Sequence, residues 1–328
     1  HNQVRFSTSL GYLSQARHRL NLTLRANCVT QRILFDGTRA VGVLVDSNGE
    51  KFAVEGEQII LCAGAVGSPQ LLMLCGVGPV DQLSNFGIPM VRELPGVGQN
   101  LRDHPKAYIT WQTKPGYQRE EGQPRGGISL RFTAPGSPFP NDLSLGMGFY
   151  VTPRLRSGEG DVAGDSLGTS LIEMMVALLF PMSSGELRLD SADPGVQPRL
   201  NYNYLADPLD RERFRAGVQQ GLQLAEHVEL REILGERVSP GEADLASDQA
   251  LDDWLMHEAT TYSHISGTCK MGPTSDSLSV VDQWGKVHGL EGLRVADASI
   301  MPHLVRAPIN PAVLMLGERI SDFIKEGA

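Results

Sequence analysis

A histidine and a carboxamide, on two segments far apart in the chain, carry its most pointed chemistry. His264 lies in Ser263-His264-Ile265-Ser266-Gly267-Thr268-Cys269-Lys270-Met271-Gly272, and Asn310 lies in Asn310-Pro311, just before an apolar stretch containing Gly317-Glu318. An imidazole is suited to take a proton near neutral pH because its unperturbed pKa falls close to that range. A carboxamide can hold a substrate oxygen without changing charge. Between them, Leu293-Arg294-Val295 reads as a short apolar strand, and Asp297-Ala298-Ser299 puts small and acidic residues at its carboxyl end, where open α/β sheets bind ligands. Helix-start preferences put Asn310 at the cap and Pro311 in the first turn of the last helix. The plain alternative for His264 is a satisfied core histidine. His288 and His303 compete for the same role, His303 from a position just after Met301-Pro302.

These runs, with Val280-Val281-Asp282 and Gly292-Leu293-Arg294-Val295-Ala296-Asp297-Ala298-Ser299-Ile300-Met301-Pro302, together resemble the C-terminal signature of the glucose-methanol-choline (GMC) oxidoreductases, which are FAD-dependent alcohol oxidases and dehydrogenases. The resemblance implies that His264 is the catalytic base and Asn310 its partner on the substrate oxygen. That His/Asn combination is similar to the choline-oxidising branch rather than to the sugar oxidases with two histidines. The resemblance further implies an FAD site with Val29 against the adenine and with Ala63, Gly64, Asn100, Asp297, Ala298, Asn310 and Pro311 along the cofactor. The implied reaction is oxidation of a small alcohol to a carbonyl, with a hydride passing to the flavin. Two other readings stand beside it: a non-redox member resembling the hydroxynitrile lyases, and an inactive, cofactor-free fragment or partner-dependent subunit.

Two further runs carry the resemblance. Gly64 to Gly78 resembles the second family signature, with Cys75 standing where the pattern has serine. Leu94-Pro95-Gly96-Val97-Gly98-Gln99-Asn100-Leu101-Arg102-Asp103-His104-Pro105 resembles a run that lies beside the flavin. His104 reads as structural, because its loop has turn chemistry and the family assigns the base elsewhere. The family's Gly-x-Gly-x-x-Gly fingerprint does not occur. Gly96-Val97-Gly98 lacks the third glycine and follows a proline rather than a strand. The expectation is the C-terminal part of a family member, with the N-terminal Rossmann segment absent and FAD poorly retained by this chain alone.

The elements that must position these residues are legible to different degrees. Leu10 to Arg19 reads as helix, and Leu20 to Ala26 alternates as a half-buried strand does. Ala40 to Asp46 and Lys51 to Glu55, joined through Asp46-Ser47-Asn48-Gly49, read as a hairpin. Ile59 to Cys62 is an apolar strand leading to Ala63-Gly64-Ala65-Val66-Gly67-Ser68-Pro69, with Ser68 as cap and Pro69 as first residue of a helix whose amino end suits an anion or a planar ligand. Asp142 to Val151 and Ser170 to Phe180 read as strands of a substrate-binding sheet, with surface loops at Lys114 to Gly127 and Ser157 to Gly168. Asp207-Pro208 opens a long amphipathic helix from Leu209 to His227, and Leu251 to Glu258 is another. The expected class is α+β: an α/β remainder of an FAD domain plus a substrate domain with a mixed or antiparallel sheet flanked by helices. The expected divisions are 1–105 and 261–328 for the FAD domain, 106–205 for the main substrate domain and 206–260 for its helical segment.

Composition narrows the partners. The 328 residues are 41% hydrophobic and 20% charged, ample for a core. A net charge of −9 argues against nucleic acid, whose binding rests on Lys and Arg neutralising phosphates, and favours a small molecule. The apolar run Ser170 to Met182, interrupted by Glu173, is too short to span a bilayer. Cys28, Cys62, Cys75 and Cys269 lack metal-ligand spacing; they read as buried free thiols in a reducing, cytoplasmic setting, with no metal. The amino end, starting at His1, reads as cut, so a complementary N-terminal chain or a homo-oligomer is an expected partner.

Overall fold

The computed structural model describes residues 6–117, 126–150 and 171–327. The loop expected at Ser157 to Gly168 lies outside the described residues, as does part of the one at Lys114 to Gly127.

Local pattern decides the first sheet. Strands β1 (Val29–Asp36), β2 (Arg39–Ser47) and β3 (Glu50–Glu55) form an antiparallel meander. The β2–β3 turn rests on Asn48 at φ 55° and Gly49 at φ 90°, left-handed positions these residue types tolerate, and Asp46 Oδ1 accepts the Gly49 N–H at 2.8 Å. Next come β4 (Ile59–Leu61) and helix α1 (Gly64–Leu74), then β5 (Gln99–Leu101) and β6 (Pro105–Thr113). Strands β7 (Gly126–Phe132), β8 (Leu143–Tyr150), β9 (Leu171–Leu178), β10 (Gly185–Arg188) and β11 (Arg199–Asn201) follow. Helix α2 (Pro208–Ala225), β12 (Leu234–Ser239), α3 (Asp248–Glu258), β13 (Thr260–Thr261), β14 (Leu293–Val295) and α4 (Asn310–Glu326) come next, with shorter elements between them.

The main sheet is antiparallel, in the order β12-β6-β9-β8-β7, with β13 also paired to β6. Period-2 alternation puts Ala107, Ile109 and Trp111 of β6 and Ile172, Met174 and Val176 of β9 in one core, together with Phe214 and Val218 of α2 and Trp254 and Leu255 of α3. α2 lies close to the sheet because Gly221 has no Cβ: one would sit 2.7 Å from Ile109 Cδ1. Its start is local chemistry, with Asp207 accepting the Leu209 N–H at 2.8 Å and Pro208 in the first turn. Buried Arg213 then ties α2 to Asp142 at 3.0 Å, and Asp210 of the same helix pairs with it at 2.6 Å.

A second core gathers α1, β4, β5, β10 and the segment from Cys269 to Ile300. Here β14 pairs in parallel with β4, Leu293 opposite Ile59. This pair and a second short parallel pair, Val77–Gly78 with Arg92–Glu93, beside a large antiparallel sheet make the described fold mixed α+β.

Several expectations change. Leu20 to Ala26 forms no strand; it is exposed, because alternation specifies a strand only where a sheet offers it a partner. Leu10 to Arg19 holds a π-helical stretch, Ser9–Leu13, and a short α segment, Ser14–Ala16. Helix α1 begins at Gly64, with Ala63 as cap, so Ser68 and Pro69 lie inside it. Pro69 has no N–H to donate to the Ala65 carbonyl, and the Thr268 hydroxyl donates there at 2.7 Å instead. The cap of α4 is Ile309, so Asn310 lies inside the first turn rather than at the cap, with Pro311 in the first turn as expected. All four cysteines are free, but Cys62 is exposed and Cys28 half-buried. Buried Cys75 accepts the Ile33 N–H on its sulfur at 3.0 Å, joining the end of α1 to β1. No helix among the described residues is long and apolar enough to cross a membrane.

Candidate active site

His264 is held by an antiparallel ladder. Thr260 and Thr261 pair with Lys106 and Pro105, the Tyr262 N–H donates to the His104 carbonyl at 3.1 Å, and Ser266 and Arg102 exchange backbone hydrogen bonds at 2.8 and 2.9 Å. Ser263 interrupts the ladder at φ 63°. That local turn brings the His264 N–H onto Asp103 Oδ1 at 2.9 Å.

Asp103 organises the site. It is buried, its Oδ1 also accepts the His104 N–H at 2.8 Å, and its Oδ2 accepts the Tyr204 hydroxyl at 2.7 Å. Burial, reinforced by this carboxylate, pushes the Tyr204 phenol far above its ordinary range. The two imidazoles meet edge to face, with His104 Nδ1 and His264 Nδ1 2.8 Å apart. His104 Nε2 lies 3.1 Å from the Val305 carbonyl oxygen. Burial, then the neighbouring His264, pushes His104 down to about 3. Burial also lowers His264, assisted by the Lys106 cation and opposed by Asp103. Tyr262 packs on His264 with ring centroids 4.6 Å apart, and Lys106 Nζ stands 5.1 Å from the Tyr262 ring centre.

The neighbouring cradle lies where β4 enters α1. Asp297 Oδ2 accepts the Gly64 N–H at 2.9 Å and the Ser68 hydroxyl at 2.6 Å, while Oδ1 accepts the Ser299 N–H at 2.8 Å. Asp297 thus pins the amino end of α1 to the carboxyl end of β14. A groove of about 570 Å³ runs past this junction, bordered by Val29, Thr30, Cys62, Ala63, Gly67 and Gln70. Val29 and Ala63, from separate parts of the chain, therefore share one groove. Ala298 is buried, and its carbonyl accepts the Gly267 N–H at 3.1 Å, linking the cradle to the His264 segment.

Asn100, at φ 58°, donates to the carbonyls of Gly267 at 3.2 Å and Pro302 at 3.4 Å and accepts from Arg102 Nε at 2.9 Å. Its carboxamide thus braces the loops of the site. Asn310 and Pro311 stand exposed at the start of α4. Of the competing histidines, His288 faces the Gly272 carbonyl oxygen at 3.0 Å, and exposed His303 lies near Phe180 with centroids 6.2 Å apart. Sequence reasoning missed the partnership of Asp103, His104 and Tyr204 with His264. The Asp103-His104 dipeptide was visible, but no spacing rule links it to a partner 160 residues away.

The fold and site define a two-core α+β protein with a groove at a strand-to-helix junction beside an imidazole pair. The chain belongs to the GMC oxidoreductase family, whose models match residues 1–106 and 181–317. The first match shows that the chain carries sequence of the family's N-terminal domain, although the glycine fingerprint is missing from it, which corrects the plain expectation of an absent N-terminal segment. It is 38% identical over 341 aligned residues to an oxygen-dependent choline dehydrogenase of Escherichia coli, covering 98% of this chain and 60% of that protein. The chain thus spans about 60% of the length of the curated relatives it matches. Among solved structures it resembles pyridoxine 4-oxidase from Mesorbium loti, with TM-score 0.87 and 28% identity, covering 98% of this chain and 62% of that one. A fungal aryl-alcohol oxidase shares the fold, with TM-score 0.80 and 23% identity, covering 98% and 64%.

Proposed function

We propose that the protein to which this chain belongs oxidises a small-molecule alcohol to a carbonyl with FAD, and that His264 is the base. The observation that carries this reading is His264 itself: an imidazole with a lowered pKa, fixed by Asp103 and the β6 ladder, on a segment bonded to the groove at α1. The relatives named above support the reaction class.

The groove fits the cofactor in kind. Small residues at Ala63 and Gly64 let a planar ring approach the backbone, and a Cβ at Gly64 would project into open space. FAD, when bound, supplies the acceptor for the hydride that leaves the alcohol carbon. On this reading Val29 and Ala63, which border the groove, together with Gly64, Asn100, Asp297, Ala298, Asn310 and Pro311, would hold the cofactor. His264 takes the hydroxyl proton as the carbonyl forms, and Asn310 orients the substrate oxygen. Residues 1–105 and 261–328 serve the cofactor, and 106–205 with 206–260 form the substrate side. Free thiols suit a reducing compartment, so the working location is the cytoplasm.

The test is anaerobic reduction of the flavin by alcohols in the full-length protein. His264→Ala lowers the reduction rate on the order of 10²–10⁴-fold, the contribution of a positioned base. An undiminished rate sinks the assignment.

A further inference from the structure

Resting on that reading of His264 as base, we propose that His104 is a positioning residue: it fixes His264 in the tautomer that carries its proton on Nδ1 and leaves Nε2 bare to accept a proton. The assignment follows from counting donors and acceptors along one chain of contacts. The Val305 carbonyl can only accept, so His104 Nε2, 3.1 Å away, carries the proton. A neutral imidazole has one N–H, so His104 Nδ1 is left with a lone pair. That lone pair faces His264 Nδ1 at 2.8 Å, and the contact is a hydrogen bond only if His264 Nδ1 donates. His264 Nε2 then has no proton.

Protonation of His104 would reverse the chain, because a second N–H at its Nδ1 would require a bare His264 Nδ1. The surroundings oppose that reversal. His104 is fully buried, and the groups acting on the pair are the cations of Lys106 and Arg131, the Tyr262 ring, the Asp103 carboxylate and the Val305 and Leu179 carbonyls; at His104 burial and the neighbouring His264 outweigh the two carbonyls. Asp103 is occupied by the backbone N–H groups of His104 and His264 and by the Tyr204 hydroxyl, so it orients both residues through the main chain. The second ring nitrogen of a working histidine commonly has a partner that sets its tautomer; here that partner is another imidazole.

The test is long-range proton–nitrogen NMR of the full-length protein labelled with ¹⁵N-histidine, with His264 assigned by its loss in His264→Gln. At neutral pH the expected spectrum has His264 Nδ1 protonated and Nε2 bare. In His104→Leu, which keeps volume but removes the acceptor, the His264 tautomers mix. In His104→Asn, whose amide oxygen restores an acceptor near the Nδ1 position, the original tautomer returns. Flavin reduction in the full-length protein follows the same order, the Leu variant losing up to the 10²–10⁴-fold that a positioned base supplies and the Asn variant recovering most of it. A protonated Nε2 in the unsubstituted protein overturns the proposal, as does an unchanged tautomer in folded His104→Leu. If His104→Leu does not fold, the spectrum of the unsubstituted protein decides alone. Failure of the base reading looks different: His264→Ala would reduce flavin normally, while the unsubstituted protein showed the assigned His264 tautomer.

Discussion

The Asp103 carboxylate accepts the backbone N–H of His264 at 2.9 Å across 161 positions of sequence, and with the same oxygen the N–H of its neighbour His104. One buried anion thereby holds two imidazoles in mutual contact. Removing it leaves those N–H groups and the Tyr204 hydroxyl without their acceptor, and a buried unsatisfied group costs about 1–3 kcal/mol. Asp103→Ala therefore destabilises the fold by about 2–5 kcal/mol in urea unfolding, while Tyr204→Phe, which removes a single donor, costs about 1 kcal/mol. Equal effects of the two substitutions would contradict this hub.

Gly267 lies at φ 84°, and a Cβ there would sit 2.5 Å from the Asn100 carbonyl oxygen. Strain of this kind costs about 1–3 kcal/mol. Gly267→Ala lowers the thermal midpoint and, because its N–H bonds the Ala298 carbonyl, also weakens flavin retention by the full-length protein. A variant that matches the parent in both would show that the loop yields freely.

The Thr268 hydroxyl supplies the hydrogen bond that Pro69 cannot. Thr268→Val keeps the shape and removes the donor, leaving the Ala65 carbonyl unpaired at a cost of about 1–2 kcal/mol. Thr268→Ser retains the donor and stays closer to the parent. Denaturation midpoints rank the three proteins.

The acid limb of stability follows from the imidazole pair. His104 is pushed down to about 3 in the folded protein, and His264 is lowered too, whereas an unfolded histidine titrates near 6.5. Below about pH 6.5 the unfolded chain binds protons that the folded one refuses, so this contribution is complete above that pH and is lost as pH falls towards about 3. The slope approaches about 1.4 kcal/mol per pH unit for His104 alone. His104→Asn flattens the limb, as unfolding midpoints between pH 7 and 4 will show.

What the sequence by itself determined is what depends on neighbours in the chain. Asp207-Pro208 announced α2 because a cap and a first-turn proline act within a few residues, and Asn48-Gly49 announced the β2–β3 turn for the same reason. His264, Asn310 and the cradle residues stood out by type and by resemblance. Ser68-Pro69 imitated a helix start, but α1 begins earlier because Thr268, 203 positions away, satisfies the carbonyl that Pro69 leaves open. Alternation from Leu20 to Ala26 had no sheet to join. Tertiary structure alone decided that His104 faces His264, that Asp103 holds both, and that Asp297 pins Gly64 and Ser68. Each is a hydrogen bond between segments far apart in sequence, where local propensity carries no information and burial favours donors that find acceptors.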